Sequence, residues 1–120
     1  MKLENRISLV TGGSRGIGKA TALRFASEGS KIILNYKSND EEAEATCNEI
    51  KKFKVECLKA KYDVSKSTDA NTLVKKSLEH FGRVDILFNN AGLMITNTFS
   101  VDDFDQMIKT NLYSMIYIIE

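Results

Sequence analysis

Apolar positions along the chain alternate between short continuous runs and a three-to-four-residue spacing, and the alternation repeats four times. Ile7-Ser8-Leu9-Val10 is short and mostly apolar, which predicts a strand. A glycine-rich stretch follows. Ala22, Phe25 and Ala26 then fall on one helical face that closes near Gly29, a residue suited to the position just past a helix. Residues 31–36 predict a second strand, because Ile32-Ile33-Leu34 is continuously apolar, as in a strand covered on both faces. Asn39 is placed to cap the next helix, with Glu42 three residues on. The acids at 40–42 suit that helix's positive end, and its pattern runs to about residue 53. Residues 55–62 alternate apolar with polar, which predicts a third strand nearer a sheet edge. A third helix is expected from residue 67 or 68 to Phe81, closed by Gly82, and Val84-Asp85-Ile86-Leu87-Phe88 predicts a fourth strand. Ser100 with Asp103 opens a last predicted helix, its stripe being Phe104, Met107, Ile108, Leu112, Met115, Ile116 and Ile119. The stripe is still in register at Ile119, so the sequence is expected to stop within that helix.

Strands alternating with helices imply right-handed crossovers, and hence a parallel sheet with helices on both faces. The expected fold is an α/β sheet of about four strands in the order 3-2-1-4, the first part of a doubly wound arrangement. A length of 120 residues allows one domain. The 42 % apolar and 28 % charged content is that of an ordinary globular chain. Seventeen basic against 16 acidic side chains leave a formal charge of +1, so no basic excess exists to track nucleic acid. Met1-Lys2-Leu3-Glu4-Asn5-Arg6 lacks a signal peptide's apolar stretch. The most apolar tract, near residues 113–119, is far short of the ~20 residues that span a bilayer. A cytoplasmic protein with neither nucleic-acid nor membrane partners is expected. Cys47 and Cys57 have no metal-ligand spacing and are expected to be structural thiols. His80, the only histidine, lies at a predicted helix end, where a solvated or capping role is expected.

Gly12, Gly16 and Gly18 sit directly between the first strand and the first helix. Gly12 permits a tight turn, Gly16 lets backbone approach a pyrophosphate, and Gly18 lets helix and strand pack closely. The helix then aims its unpaired N–H groups and positive dipole end at the phosphates. A strand before and a helix after are the context that such a turn requires. The spacing is Gly-x-x-x-Gly-x-Gly. Thr11-Gly12-Gly13-Ser14-Arg15-Gly16-Ile17-Gly18 closely resembles the cofactor turn of the short-chain dehydrogenase/reductase family. Three further segments follow in that family's order. Asp63-Val64 resembles the pair flanking the adenine, Asn89-Asn90-Ala91-Gly92 the family's Asn-Asn-Ala-Gly signature, and Asn111 the helix asparagine of its catalytic tetrad. Asn35-Tyr36-Lys37-Ser38 is similar to the corresponding segment of glucose dehydrogenases, and the motifs as a whole to those of 3-oxoacyl-carrier-protein reductases.

The resemblance implies a Rossmann-type, NAD(P)-binding domain over residues 1–120, incomplete at its C-terminus. Gly12, Ser14, Arg15, Gly16, Ile17, Gly18, Tyr36, Lys37, Asp63, Val64, Asn90, Ala91 and Gly92 are the implied cofactor-binding residues, with no metal ligand. A carboxylate ending the second strand would hold both ribose hydroxyls and repel a 2′-phosphate. That position is Tyr36, flanked by Asn35 and Lys37, and none is negative. Arg15 and Lys37 are instead placed to meet a phosphate at the 2′ oxygen. The expected cofactor is NADP, as a preference over NAD rather than strict selection.

Carbonyl reduction also needs an acid to protonate the developing alkoxide. In the resembled family a Tyr does this, helped by a Lys four residues on, while a Ser orients the carbonyl. By resemblance all three should fall downstream of Glu120. Asn111 is then the only member of the catalytic set expected here, and the chain alone is expected to be inactive. Tyr62 and Lys66 meet the Tyr-x-x-x-Lys spacing, but Tyr62 ends a predicted strand, whereas a catalytic pair must share a helix face. The resemblance implies an oxidoreductase moving hydride between NADP(H) and a small-molecule ketone or secondary alcohol, this chain supplying the cofactor-binding half. The alternative is a non-catalytic nucleotide-binding or interaction module completed by another polypeptide. An unpaired edge on the fourth strand and an unfinished apolar helix would favour such a partner, or a second copy of the chain.

Overall fold

Ile32, Ile33 and Leu34 are fully buried, and they divide between two cores on opposite faces of one sheet. The structure, a computed structural model, describes residues 2–90 and the backbone of residues 115–118. Its elements are β1 (Ile7–Thr11), α1 (Gly16–Ser27), β2 (Lys31–Tyr36), α2 (Asp40–Lys51), β3 (Cys57–Lys61), α3 (Ser67–Phe81), β4 (Ile86–Asn89) and β5 (Met115–Ile118). β1 pairs in parallel with β2 and β4, and β2 with β3, giving the expected order β3-β2-β1-β4, with β5 beyond β4.

The pleat sends successive side chains to opposite faces. Val10, Ile32, Leu34 and Phe88 pack with Ala22 and Ala26 of α1 and with Cys47 and Ile50 of α2. Leu9, Ile33 and Leu87 pack with Ala70, Leu73 and Val74 of α3. This is why the strand runs are continuously apolar: both faces are covered. β3 buries Cys57 and Ala60, exposes Lys59 and Lys61, and lies at the sheet's edge, the position its pattern predicted.

Asn39 caps α2 as expected, its Oδ1 accepting from the Glu42 N–H at 3.1 Å. α2 stops two residues earlier than the pattern suggests. The Phe53 and Lys54 N–H groups turn back onto the Ile50 and Lys51 carbonyls, and Lys54 takes φ 63°. α3 runs from Ser67 to Phe81 and closes at Gly82. At the other end of the sheet from the glycine turn, Asp85 is 8 % exposed. Its Oδ2 accepts from the Ile7 N–H at 2.9 Å and from Arg83 Nε at 3.1 Å, joining the start of β1 to the segment that leads into β4.

The last predicted helix needs correction. Met115–Ile118 is a strand, antiparallel to β4, with Ile86 opposite Ile118 and Asn89 opposite Met115. Met115-Ile116-Tyr117-Ile118 is rich in β-branched and aromatic residues, which favour extended backbone. The β4 edge supplies the unpaired N–H and C=O groups that such a segment satisfies. A short apolar run reads equally as helix or strand by spacing alone. Phe104, Met107, Ile108, Leu112 and Ile119 lie outside the described residues.

Candidate functional site

β1 delivers its chain to the C-terminal edge of the sheet between β2 and β4, whose preceding helices α1 and α3 lie on opposite faces. Such a switch point opens a crevice above the strand ends. The turn that fills it is mostly glycine. Gly12 and Gly16 have φ of 60° and 61°, which side chains with a Cβ rarely adopt. A Cβ on Gly18 would lie 2.2 Å from the Gly12 carbonyl oxygen, so α1 packs directly on the turn. A Cβ on Gly16 would meet nothing within 4 Å, leaving backbone open to a ligand.

No side chain caps α1, and its first turn holds no acid. Its leading N–H groups and dipole therefore favour an anion. Beside them lies a depression of about 250 Å³, lined by Gly12, Ser14 and Arg15 on one side and by Tyr36, Lys37, Ser38 and Asn39 on the other. Two cations and no carboxylate are among these lining residues. Tyr36 is 7 % exposed, and its hydroxyl donates to Asp40 Oδ1 at 2.9 Å. Burial, and then the Asp40 carboxylate, push the Tyr36 hydroxyl above its usual pKa. The same hydrogen bond, and then one from Lys61, hold the Asp40 carboxyl below its own.

Asp63 stands near the depression. Its Oδ1 accepts from Ser65 Oγ at 2.6 Å and from the Ser65 N–H at 3.1 Å, and its Oδ2 lies 3.9 Å from Lys37 Nζ. These contacts, the Ser65 hydroxyl foremost, lower its pKa. Val64 is buried in the α3-side core, so its backbone is what it offers a ligand. Asn90 reaches back to the turn. Its Nδ2 donates to the Gly12 carbonyl at 3.3 Å, and its N–H donates to Thr11 Oγ1 at 2.9 Å. Ile17 is 70 % exposed next to the turn. Ala91, Gly92 and Asn111 lie outside the described residues.

The structure thus gathers Gly12, Ser14, Arg15, Tyr36 and Lys37 around one depression and adds Ser38 and Asn39, which sequence reasoning passed over. It also brings in Asn35 and Thr46, whose side chains hold the turn from behind. The signal for Asn35 was available as an amide following three apolar residues in a buried strand. Tyr62 follows β3 and Lys66 precedes α3, so that pair shares no helix face. Cys47 and Cys57 are free and buried, with Cys47 Sγ 3.5 Å from the Cys57 carbonyl oxygen. The contact with Cys47, and then burial, push the Cys57 thiol far above its usual pKa. His80 is partly exposed and bonds to Glu56. Among the described residues no His, Cys, Asp and Glu group could hold a metal, and no helix is long and apolar enough to cross a membrane.

An α/β sheet with this order and this turn defines a Rossmann-type dinucleotide-binding fold. The sequence matches the short chain dehydrogenase family over residues 6–120, and the chain belongs to that family. It is 39 % identical over 111 residues to the 3-oxoacyl-(acyl-carrier-protein) reductase FabG of Staphylococcus epidermidis, covering 90 % of this chain and 46 % of that protein. It is 36 % identical over 121 residues to the L-rhamnose 1-dehydrogenase (NADP(+)) of Thermoplasma acidophilum, covering 98 % of this chain and 48 % of that protein. A short chain dehydrogenase from Burkholderia cenocepacia, solved in complex with NADP, superposes with a TM-score of 0.74 at 32 % identity, covering 92 % of this chain and 46 % of its own. The chain spans about half the length of the relatives it matches.

Proposed function

We propose that this chain forms the cofactor-binding half of an oxidoreductase that interconverts a small-molecule ketone and a secondary alcohol, using NADP(H) in preference to NAD(H). The observation that carries this reading is the depression between the glycine turn and the end of β2, where Arg15 and Lys37 stand without a lining carboxylate. The uncapped start of α1 and the open space at Gly16 fit a pyrophosphate against backbone N–H groups. The cofactor, when bound, supplies the hydride.

Arg15 and Lys37 would hold the 2′-phosphate as charge-assisted donors, with Ser38 and Asn39 beside them. Asp63 and the Val64 backbone would border the adenine. Ala91 and Gly92 at the nicotinamide ribose, and Asn111 in a proton relay, rest on family resemblance alone. The two relatives whose names specify NADP support the cofactor preference. Coverage of about half of each relative supports placing the remaining chemistry in further polypeptide, joined to this chain or separate from it.

Fluorescence titration with NADPH and NADH tests the binding step, and NADPH oxidation tests the chemistry. The chain is expected to bind NADPH more tightly than NADH, and to turn over only when the adjoining coding sequence's product is supplied. Equal affinity for both cofactors would overturn the preference. Binding with no turnover in any combination would favour a non-catalytic nucleotide-binding module.

A further inference from the structure

Two buried polar side chains lie behind the glycine turn without lining the depression: Asn35 on β2, 2 % exposed, and Thr46 on α2, fully buried. A buried amide or hydroxyl requires hydrogen-bond partners, and where those partners lie shows what the group holds in place. Asn35 Oδ1 accepts from the Gly12 N–H at 3.4 Å, and the Asn35 carbonyl accepts from the Gly13 N–H at 2.8 Å. Asn35 Nδ2 donates to the Ala60 carbonyl at 3.1 Å and to the Tyr62 carbonyl at 3.0 Å. Thr46 Oγ1 donates to the Ser14 carbonyl at 2.9 Å.

Gly12 and Gly13 have no side chains with which to hold their own conformation, and glycine backbone is the freest of all. The shape of the turn must therefore be imposed from outside it. Building on the cofactor reading above, we propose that Asn35 and Thr46 are positioning residues for cofactor binding. They clamp Gly12 and Ser14 in the phosphate-accepting conformation. Through Tyr62, Asn35 also ties the turn to the adenine-side pair Asp63-Val64, so both halves of the adenosine diphosphate site are held in register.

A ligand that binds one conformation has its apparent affinity reduced by the fraction of molecules in that conformation, so a turn competent a tenth of the time binds about tenfold more weakly. Neither side chain lines the depression. Their loss should therefore slow association, whereas loss of a direct contact acts mainly on dissociation.

Stopped-flow NADPH fluorescence on the full chain tests this with Thr46→Val and Asn35→Leu, at a temperature where circular dichroism shows each variant folded. Association about tenfold slower in each variant, with dissociation changed less than about twofold, is expected. Association rates equal to the parent chain's, or a loss confined to dissociation, would overturn the proposal. If Asn35→Leu does not fold, Thr46→Val, which keeps the side chain's shape, decides alone. Failure of the parent chain itself to bind NADPH would instead overturn the cofactor reading.

Discussion

Lys37 Nζ lies 3.9 Å from Asp63 Oδ2, so the residue assigned to the 2′-phosphate is ion-paired with the residue assigned to the adenine. Lys37 is 75 % exposed. An exposed, solvent-screened pair of this kind contributes little, so little opposes an exchange of partners when a phosphate dianion arrives. Asp63 also accepts from the Ser65 hydroxyl and N–H through Oδ1, the oxygen that does not face Lys37. Of the pair only Lys37 lines the depression, which it shares with Arg15.

Arg15→Ala and Lys37→Ala should each weaken NADPH binding about tenfold or more, the worth of one charge-assisted hydrogen bond. NADH affinity should change less than about twofold, because NADH carries no 2′-phosphate to meet either cation. Parallel fluorescence titrations check both numbers. An equal loss for the two cofactors would place the 2′-phosphate elsewhere.

Asp63 supplies a pH dependence with a definite sign. Its carboxyl pKa is lowered in the folded chain, by the Ser65 hydroxyl first and then by the Ser65 N–H, with the Lys37 charge adding to them. Protons therefore bind the unfolded state more readily. The stabilisation is fully present above the unfolded value of about 4 and disappears as pH falls through the lower folded value. Urea midpoints should be insensitive to this group from neutral pH down to about pH 5, and should then drop in acid. Asp63→Asn should flatten that acid limb. An unchanged limb in the variant would show that other carboxylates carry it.

Most of the fold was legible because the strands are covered on both faces. That burial forces continuous apolar runs such as Ile32-Ile33-Leu34 and leaves little ambiguity about where strands fall. The cap at Asn39 and the stop at Gly82 were legible for local reasons, since each is a backbone demand met by one residue type. Met115–Ile118 was misread because its backbone state depends on the β4 edge, which is remote in sequence. The glycine turn could be read directly, but its clamps could not. Asn35 and Thr46 reach it from β2 and α2, and only the fold brings those elements to the turn.

Gly16 and Gly18 should separate binding from folding. At Gly16 a Cβ meets nothing, so Gly16→Ala should cost about 1–2 kcal/mol from its φ of 61°. The new methyl would occupy the approach to the pyrophosphate, and NADPH affinity should fall about tenfold or more. At Gly18 a Cβ would lie 2.2 Å from the Gly12 carbonyl, which is backbone and cannot rotate away. Gly18→Ala should therefore destabilise the fold itself, by about 2 kcal/mol or more. Thermal melts and titrations on the two variants check the contrast. Similar stability losses in both would contradict the packing described at Gly18.

Asp85 is the counter-case, a buried carboxylate at the end of the sheet away from the glycine turn. Its Oδ2 accepts the Ile7 N–H at 2.9 Å, and Ile7 is only 5 % exposed, so no solvent stands ready to replace the carboxylate. Asp85→Ala leaves that N–H without its acceptor and releases Arg83 Nε, which the same oxygen holds at 3.1 Å. A buried donor left unsatisfied costs about 1–3 kcal/mol. The damage falls where β1 begins, whereas the glycine turn lies where β1 ends. Denaturant midpoints should therefore drop by the equivalent of about 2 kcal/mol, while NADPH affinity per folded molecule stays at the parent value. A fall in affinity at full folding would mean that strain at the start of β1 reaches the turn, and that the two ends of the strand are coupled.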